Sequence, residues 1–274
     1  MNFSLVIPTR NRAQALRLTL QHLSLSVYPF DDFEVLVVDD GSQDETPLVL
    51  REWAEKLPLR SFTQEHGGTS RARNQAIEAA RGRHIMFIDD DVLVPPDFLR
   101  RHARLQAAHP GHLVRGPVVN VARPLYPPLP ALTQPWRHFS KNYLCTSNAS
   151  IERELLVRAG LFDPTFVRWE DAELGVRLKR LGVRRVFDNQ TFVYHWKPPL
   201  EHPQRLRVAE LDGQAAAQLY KRYPGLRMWL RSGLHRLNRW KNRFLLGLPL
   251  PGRWRRAVQV EEAYLRAGLA ELAR

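Results

Sequence analysis

Three adjacent carboxylates follow a short apolar run in the first third of the chain. The run spans residues 85–88 and contains neither Gly nor Pro, which is typical of a buried strand in a parallel sheet. It leads directly into Asp89, Asp90 and Asp91. Because α/β sheets bind ligands at the carboxyl ends of their parallel strands, we expect these side chains to lie at a ligand-binding edge.

Neighbouring carboxylates repel one another unless a cation or hydrogen-bond donors compensate their charge. Mg²⁺ or Mn²⁺ would be the natural compensation, since these ions prefer oxygen ligands and commonly hold substrate phosphates. If the three acids of residues 89–91 are considered alone, a solvated acidic turn is the alternative to a metal site. A second pair, Asp39 and Asp40, follows the predicted strand of residues 33–38, which is apolar except for Glu34. Two acidic strand ends in one sheet predict a nucleotide held across the sheet edge, with a metal ion at its phosphates.

The elements that must position these acids alternate between strands and helices. This alternation predicts βαβ units, right-handed crossovers and a largely parallel sheet, and hence an α/β fold. The first strand leads into residues 8–12, a junction without glycine, so neither a dinucleotide fingerprint nor a phosphate loop is present. We predict strands over residues 3–7, 33–38, 59–64 and 85–88 and helices over residues 16–23, 46–56 (with Thr46 as N-cap) and 71–80.

The second half of the chain continues the pattern. Five prolines between residues 124 and 135 indicate an extended surface loop and a candidate lid. Farther along, Glu170 and Asp171 fall in the first turn of a predicted helix, where the helix dipole favours carboxylates even without a catalytic role. We predict helices over residues 97–108, 153–159 and 169–178 and strands over residues 113–121, 184–187 and 191–194.

Length and composition fit one large α/β domain with an appendage. The chain has 274 residues, and its 44% hydrophobic and 25% charged content is ordinary for a globular protein. A single cysteine, Cys145, excludes an intramolecular disulfide and a multi-cysteine zinc site. No apolar run reaches about 18 residues, and the amino terminus lacks the basic start of a signal peptide. We therefore expect a cytoplasmic protein, with peripheral contact on the inner face of the membrane as an option.

Positive charge is concentrated in the last quarter of the chain. Of a net charge of +13, residues 201–274 hold 15 basic and 6 acidic residues. We predict a catalytic domain over residues 1–200, with a nucleotide-binding half over about 1–92 and an acceptor half over about 93–200. A basic, mainly helical extension would cover residues 201–274. The excess charge suggests an anionic surface as a partner, and we expect membrane or acidic glycan rather than nucleic acid.

An apolar stripe runs through the most basic part of this extension. Residues 221–256 contain eleven Lys or Arg and no Asp or Glu. A helix carrying the stripe could pack on the catalytic domain with a solvated basic back, or lie on anionic lipid near a membrane-bound acceptor, and both interpretations stay open. The stripe consists of Leu226, Leu230, Leu234, Leu237, Trp240, Phe244 and Leu248.

Five motifs, in this order, resemble those of family 2 glycosyltransferases. They are residues 6–12, 37–42, 67–74, 87–91 and 169–171. The resemblance covers about residues 1–200 and implies an inverting, metal-dependent enzyme of the GT-A fold. It further implies a nucleotide-sugar donor, most often a UDP-sugar, and a place in cell-surface polysaccharide or glycolipid synthesis. The acceptor, whether a glycan, a lipid-linked sugar or a small molecule, is left open.

The resemblance implies donor-binding roles for eight positions. Asp39 would accept a hydrogen bond from the base, Asp90 would face the ribose, and Gly68 would let the backbone approach. The family's Asp-x-Asp motif is met here by residues 89–91, whose acidic middle position leaves the division of labour among the three open. The eight positions are Pro8, Thr9, Arg12, Asp39, Gly68, Arg71, Asp89 and Asp90.

The resemblance also implies a catalytic and a metal-binding set. Asp171 would be the general base, supported by Glu170. Asn148 and Trp169 would lie near the transferred sugar or the acceptor. Asp91 would hold the Mn²⁺ or Mg²⁺ ion at the diphosphate. The resemblance adds His195 as a group that reaches the metal or the diphosphate, although a histidine at the end of an apolar strand is also explained by packing alone.

The chemistry of glycosyl transfer supports this interpretation independently of the family resemblance. Inverting glycosyl transfer needs one base to deprotonate the acceptor hydroxyl and a cation to stabilise the leaving diphosphate. A hydrolase would instead need two carboxylates around the glycosidic bond. A sugar-nucleotide nucleotidyltransferase would need a Gly-rich, Lys-bearing first loop, which residues 8–12 are not. A non-catalytic nucleotide-sugar-binding relative would have no need of Asp171.

Overall fold

The computed structural model describes residues 1–124, 126, 143–225, 228, 232–234 and 236–274. Two compact units account for these residues. The first contains Met1–Thr165 and Glu170–Pro198, and the second contains Phe166–Trp169 and Pro199–Arg274. The candidate lid over residues 124–135 lies outside the described residues, except for residues 124 and 126. The assignment of residues 1–200 and 201–274 to two functional domains stays a prediction.

Among the described residues of the first unit, ten strands form two sheets. In the main sheet the spatial order is β3-β2-β1-β4-β8-β6-β9. The first four of these strands are mutually parallel, and β8 runs antiparallel to both of its neighbours. The mostly parallel α/β fold is therefore confirmed. The strands are β1 (Phe3–Thr9), β2 (Phe33–Asp39), β3 (Leu59–Thr63), β4 (His84–Phe87), β5 (Val92–Leu93), β6 (Leu113–Arg115), β7 (Val118–Val121), β8 (Ala149–Glu152), β9 (Arg185–Phe187) and β10 (Val193–Trp196).

The smaller sheet has the order β5-β10-β7. The prediction of one strand over residues 113–121 is wrong, because this segment leaves the main sheet after β6 and enters the smaller sheet as β7. The break falls at Gly116 and Pro117. A Cβ atom on Gly116 would lie only 2.0 Å from the Thr191 carbonyl oxygen, and Pro117 has no N–H group for a strand ladder. The two residues together therefore switch the chain between sheets.

In the part of this unit that the structure describes, six α-helices and one 3-10 turn (Phe30–Asp32) connect these strands. Alternation along β1 places Phe3, Leu5 and Ile7 in one buried apolar cluster and Val6 in another, so both faces of the sheet are covered. Thr46 is the first residue of its helix rather than the N-cap, because Glu45 occupies the cap position. The helices are α1 (Ala13–Ser24), α2 (Thr46–Ala54), α3 (Thr69–Ala79), α4 (Phe98–Ala108), α5 (Arg153–Arg158) and α6 (Glu170–Arg180).

The second unit is built on α7 (His202–Arg222), α8 (Arg236–Leu246) and α9 (Gly252–Ala273). Glycine allows α7 and α9 to pack closely, since a Cβ atom on Gly213 would lie 2.1 Å from the Tyr264 carbonyl oxygen. No helix in the described part of the chain is long and apolar enough to cross a membrane.

The prediction of one helix through the apolar stripe is wrong. Gly233 adopts a φ of +68°, and α8 begins only at Arg236, so the chain turns within the predicted helix. Leu234 is buried in the core of the second unit, whereas Trp240 and Phe244 are exposed. Leu226 and Leu230 lie outside the described residues.

Candidate active site

The carboxyl ends of β1, β2 and β4 meet at one edge of the main sheet. Thr9, the last residue of β1, pairs with Asp39, the last residue of β2. The chain after β4 runs beside the same strand end, so the Thr9 hydroxyl donates a 2.8 Å hydrogen bond to Oδ2 of Asp90. Parallel pairing therefore brings together acids that lie some fifty residues apart in the sequence, as the motif order predicts.

Asp90 is buried and holds two neighbours in place. Besides the Thr9 bond, its Oδ1 lies 3.1 Å from a guanidinium nitrogen of Arg12. Burial raises the pKa of Asp90 to about 7; Arg12 and Thr9 oppose this effect, and the charges of Asp91 and Asp89 add to it. The carboxyl group predicted to face the ribose is thus engaged with Thr9 and Arg12 in this structure.

Asp89, Asp91 and His195 form the one potential metal-binding group among the described residues. One ligand atom from each lies within 4.8 Å of the other two. The smaller sheet positions the histidine beside the two acids, because His195 pairs with Val92 in the antiparallel β5–β10 ladder. The backbone N–H of Trp196 also donates to the Asp91 carbonyl oxygen at 2.9 Å. A residue about one hundred positions downstream is thereby fixed beside the acidic strand end.

The donor atoms of this group fit a divalent ion. Oδ1 of Asp91 is buried, and no donor in the described residues meets it with hydrogen-bond geometry. Nε2 of His195 nevertheless lies only 2.9 Å from that oxygen. A carboxylate oxygen and an imidazole nitrogen at this separation can both bind one divalent ion, and carboxylate ligands suit Mn²⁺ or Mg²⁺.

Arg12 provides positive charge at the same acids. Its guanidinium group lies 2.6 Å from Oδ2 of Asp91, and the side chain is 46% exposed. Although burial raises the pKa of Asp91, the nearby His195 imidazole and Arg12 charge hold that pKa below its ordinary value. Asp91 therefore stays ionised, which is the state that a metal ligand requires.

The Asp39–Asp40 pair organises the loop in front of α3. Asp39 is buried and accepts a 2.9 Å hydrogen bond from the Ser42 backbone N–H. Asp40 accepts bonds from the Gly67 and Gly68 backbone N–H groups, at 2.7 and 3.0 Å. Although burial opposes them, these bonds and two from side chains lower the pKa of Asp40. Asp40, for which the sequence predicted no individual role, is the anchor of this loop.

Gly68 starts α3 from a backbone conformation that favours glycine. Its φ is +88°, in the left-handed region, and it holds the N-cap position of the helix. Arg71, in the first turn, is exposed to solvent. Both positions keep the donor-binding roles predicted for them as predictions.

Arg73 connects the acidic strand end to the start of α6. Its guanidinium group donates to Oδ1 of Asp89 at 2.9 Å and to Oε1 of Glu170 at 2.7 Å. The side chain is only 4% exposed and lies over the Phe162 ring. Sequence reasoning missed Arg73, although it belongs to the motif of residues 67–74. Because residues two apart on a helix face different directions, an exposed Arg71 already implies another orientation for Arg73.

Asp171 lies beside this ion-pair bridge. Packing around the carboxyl group raises its pKa to about 7, and the charge of Glu170 adds to this effect, whereas Arg73 opposes it. Asp171 as a whole residue is half-buried. A carboxyl group with a pKa near neutrality is well matched to accept a proton from a hydroxyl group.

The sequence model of the family described as Glycosyl transferase family 2 matches residues 4–156. The chain belongs to this family. Validoxylamine A glucosyltransferase of Streptomyces hygroscopicus subsp. jinggangensis is 31% identical over an alignment of 221 residues that covers 66% of this chain and 52% of that protein. The first curated relatives match over 36% to 52% of their own lengths, so the chain spans about half of them or less.

Solved structures show that the family 2 chain has the GT-A fold. Mannosyltransferase PcManGT from Pyrobaculum calidifontis, in complex with GDP-Man and Mn²⁺, gives a TM-score of 0.72 at 23% identity over 99% of this chain and 87% of that one. S. aureus TarS in complex with UDP-GlcNAc gives 0.62 at 18% identity over 98% and 91% of the two chains. At these identities the similarity concerns the fold.

Asn148 of this family member is placed inside the protein. Its Nδ2 donates to the carbonyl oxygens of Pro117 and Thr191, at 3.0 and 2.6 Å, and its Oδ1 lies 3.2 Å from Nε2 of His102. Both amide N–H groups are therefore used, and none is left for a sugar hydroxyl. The preceding Ser147 reaches the site instead, because its Oγ donates to Oδ2 of Asp89 at 2.5 Å. Sequence reasoning missed Ser147.

Two predicted residues remain to be placed. Pro8 is buried within β1, next to Thr9. Trp169 belongs to the second unit, where its indole N–H donates to Oδ1 of Asp212 at 3.1 Å and its backbone adopts a φ of +61°. The roles of both in donor or acceptor binding stay predictions.

Proposed function

We propose that this chain transfers a sugar from a nucleoside-diphosphate sugar to an acceptor hydroxyl group with inversion at the anomeric carbon. One observation carries the proposal. Arg73 bonds Asp89 of the metal group and Glu170, the neighbour of Asp171, so one guanidinium group links the metal group to the helix start that carries the candidate base. Inverting transfer needs these two functions in one site.

Residues Asp89, Asp91 and His195 would hold the metal, Mn²⁺ or Mg²⁺. When bound, the ion would stabilise the negative charge that grows on the diphosphate as it leaves. Arg12, which is half exposed and already pairs with Asp91, would turn toward the phosphates and share that charge. Asp90 would keep Thr9 and the first loop in place through its buried hydrogen bond.

Asp171 would act on the other reactant. Its Oδ1 accepts a 2.7 Å hydrogen bond from the Ala172 N–H, which leaves Oδ2 to take the proton of the acceptor hydroxyl. The hydroxyl oxygen then forms its bond to the anomeric carbon while the bond to the diphosphate oxygen breaks on the opposite side. Glu170 stays bound to Arg73, so a single negative charge faces the acceptor.

UDP is the nucleotide that we propose first, on the family resemblance of the donor loops. The complexes of related fold contain GDP-Man in one protein and UDP-GlcNAc in another, so the nucleotide is the first property to test. For the acceptor we propose a hydroxyl group of a glycan, a lipid-linked sugar or a small molecule, in cell-surface polysaccharide or glycolipid synthesis. We place the reaction in the cytoplasm.

A thermal-shift panel of UDP-, GDP- and dTDP-sugars, with and without Mn²⁺, tests donor and metal together. We expect one nucleotide class to raise the melting temperature, and to raise it more with Mn²⁺, because the ion bridges carboxylate and diphosphate. The sugar that stabilises most is then incubated with candidate acceptors, and the anomeric configuration of the product is read by NMR. No stabilisation by any nucleotide sugar, or a product with retained configuration, would contradict the proposal.

A further inference from the structure

An apolar turn connects α8 and α9 in the second unit. The connection, residues 247–251, contains only Gly, Leu and Pro and therefore has no polar side chain. Leu248 is 38% exposed. Connections between helices on a protein surface are usually rich in Ser, Thr, Asn, Asp, Gly and Pro, so the glycine and prolines are ordinary there and the exposed leucine is the residue that needs a physical reason.

Large aromatic side chains lie on both sides of this turn. Trp240 and Phe244 on α8 are 67% and 59% exposed, and Trp254 in the first turn of α9 is 56% exposed. The rings of Trp240 and Phe244 stack on each other with centroids 6.0 Å apart, so they already form one apolar surface. We call these three residues and the turn of residues 247–251 the aromatic tip. Exposed apolar surface of this kind marks an interaction site.

The stretch of chain that forms the aromatic tip carries basic residues only, although Glu261 of α9 pairs with Lys241 beside Trp240. Arg243, Arg253 and Arg256 are exposed, and residues 221–256 include no acidic residue. Arg255 has a different task, because its guanidinium group donates to the carbonyl oxygens of Leu246 and Leu248, at 3.4 and 3.0 Å. Arg255 thereby provides hydrogen-bond donors for carbonyl groups at the carboxyl end of α8, and it holds the turn that contains Leu248 in place.

We propose that the aromatic tip docks on the surface of an anionic lipid bilayer. Leu248 and the aromatic rings would enter the headgroup region, and the three exposed arginines would bind lipid phosphates. This proposal goes beyond glycosyl transfer and does not depend on it, because lipid binding needs neither donor nor metal.

Charge and shape favour lipid over the other occupants of such a surface. A second copy of the chain would bring the same arginines together, which like-charge repulsion opposes. Nucleic acid would neutralise the arginines and stack on the rings, but it offers no apolar phase for the Leu and Pro side chains of the turn. An anionic bilayer provides both the charged layer and the apolar interior.

Co-sedimentation of the full chain with sucrose-loaded vesicles tests the proposal. We expect binding to vesicles of phosphatidylcholine with phosphatidylglycerol, and background binding to phosphatidylcholine alone. Binding should fall between about 0.1 M and about 1 M salt, as the Debye length shrinks from roughly 10 Å to roughly 3 Å. Changing Arg253→Gln together with Arg256→Gln should weaken binding about fivefold for each arginine.

Changing Trp240→Ser together with Phe244→Ser should also lower vesicle binding, while the melting temperature stays that of the wild type because both rings are exposed. Matched control variants carry the same changes at exposed positions of the first unit. For the rings the control is Leu48→Ser with Val157→Ser, at 54% and 50% exposure, and for the arginines it is Arg51→Gln with Arg158→Gln.

Three results would overturn the proposal. One is background binding of the wild type to anionic vesicles. Another is an equal loss of binding in the control variants. The third is a lowered melting temperature in the Trp240→Ser, Phe244→Ser variant without a loss of vesicle binding, which would show that the rings stabilise the fold instead. If the wild type ignores vesicles but binds RNA or dimerises through these residues, the tip serves that partner and the lipid assignment is wrong.

Discussion

The acidic sheet edge of the first unit and the aromatic tip of the second unit stabilise their charged side chains in different ways. At the edge, the carboxylates are largely buried and named donors hold them, such as Thr9, Arg12 and Arg73. At the tip, the positively charged side chains of several arginines are exposed to water. A buried charge depends on each individual partner, whereas exposed charges act together and are screened by salt. Single substitutions should therefore have large, distinct effects at the edge and small effects on the exposed surface.

The largest effect is expected from Asp171→Asn. Transfer should fall by roughly a thousandfold or more, because the amide cannot take the acceptor proton, while donor affinity changes only a few-fold. Single-turnover transfer and donor titration measure the two quantities. Glu154→Gln is the matched control, since Glu154 also lies in the first turn of a helix. An equal loss of donor affinity in Asp171→Asn would reassign the residue to donor binding.

Arg73→Met should have the next largest effect. It leaves Asp89 and Glu170 without their shared partner, and we expect the free energy of unfolding to fall by about 3 kcal/mol. Urea denaturation measures this change. The milder Arg73→Lys keeps a charge and provides a second readout if the Met variant does not fold. A free energy of unfolding within about 0.5 kcal/mol of the wild type in Arg73→Met would refute a structural role for the bridge.

Asp91→Ala tests the metal group. We expect Mn²⁺ affinity to fall by more than about a hundredfold, since even groups that only orient a ligand are worth roughly tenfold to a hundredfold. Titration followed by the electron paramagnetic resonance of free Mn²⁺ measures it without any turnover. Asp97→Ala, which removes an acid from another loop, is the control. Unchanged Mn²⁺ affinity in Asp91→Ala would remove Asp91 from the site.

The pH dependence of transfer sharpens the assignment of the base. Asp171 must be deprotonated to act, and its pKa is about 7, so the rate should rise about tenfold per pH unit below 7 and level off above it. In the unfolded chain this acid loses its proton near its ordinary pKa of about 4. The folded state therefore binds the extra proton between about pH 4 and 7, and its stability falls as the pH rises through that range.

Asp171→Asn checks the same sign through stability. The substitution removes the buried acid, so its melting temperature relative to the wild type should increase from about pH 4 to 7 and stay constant above. Arg73→Lys should shift the rate profile to higher pH if the weaker bridge lets the pKa of Asp171 rise. A rate profile that is flat between about pH 5 and 8 would contradict the assignment of Asp171 as the base.

The smallest effect is expected on the exposed surface of the second unit. Lys241 on α8 lies 2.9 Å from Glu261 on α9, with side-chain exposures of 48% and 43%. Lys241→Met should lower the free energy of unfolding by no more than about 1 kcal/mol. The same urea experiment as for Arg73→Met gives a direct comparison of an exposed and a buried ion pair. A loss as large as that of Arg73→Met would remove the distinction between the two regions.

Local sequence patterns predicted those strands and helices of the first unit that are formed by one uninterrupted segment of the chain. Largely apolar runs that lead into acids located β2, β4 and the acids at their carboxyl ends, because a parallel strand buried on both faces reads as a near-continuous apolar run, which Glu34 interrupts in β2. The same reasoning was wrong for residues 113–121 and for the apolar stripe. In each case apolar residues recur on both sides of a glycine, Gly116 or Gly233, at which the predicted element is interrupted.

The sequence by itself determined the fold class, the family and the acids at the carboxyl ends of β2 and β4. Hydrophobic periodicity and motifs can be read along the chain without knowing which elements contact one another. Only the tertiary structure decided which side chains meet. It joined His195 to Asp91 through a ladder in the smaller sheet and turned Asn148 inward while Ser147 faces Asp89. It also divided the apolar stripe between a core and a surface. Such contacts depend on strand pairing and side-chain direction across long separations, and no local pattern encodes them.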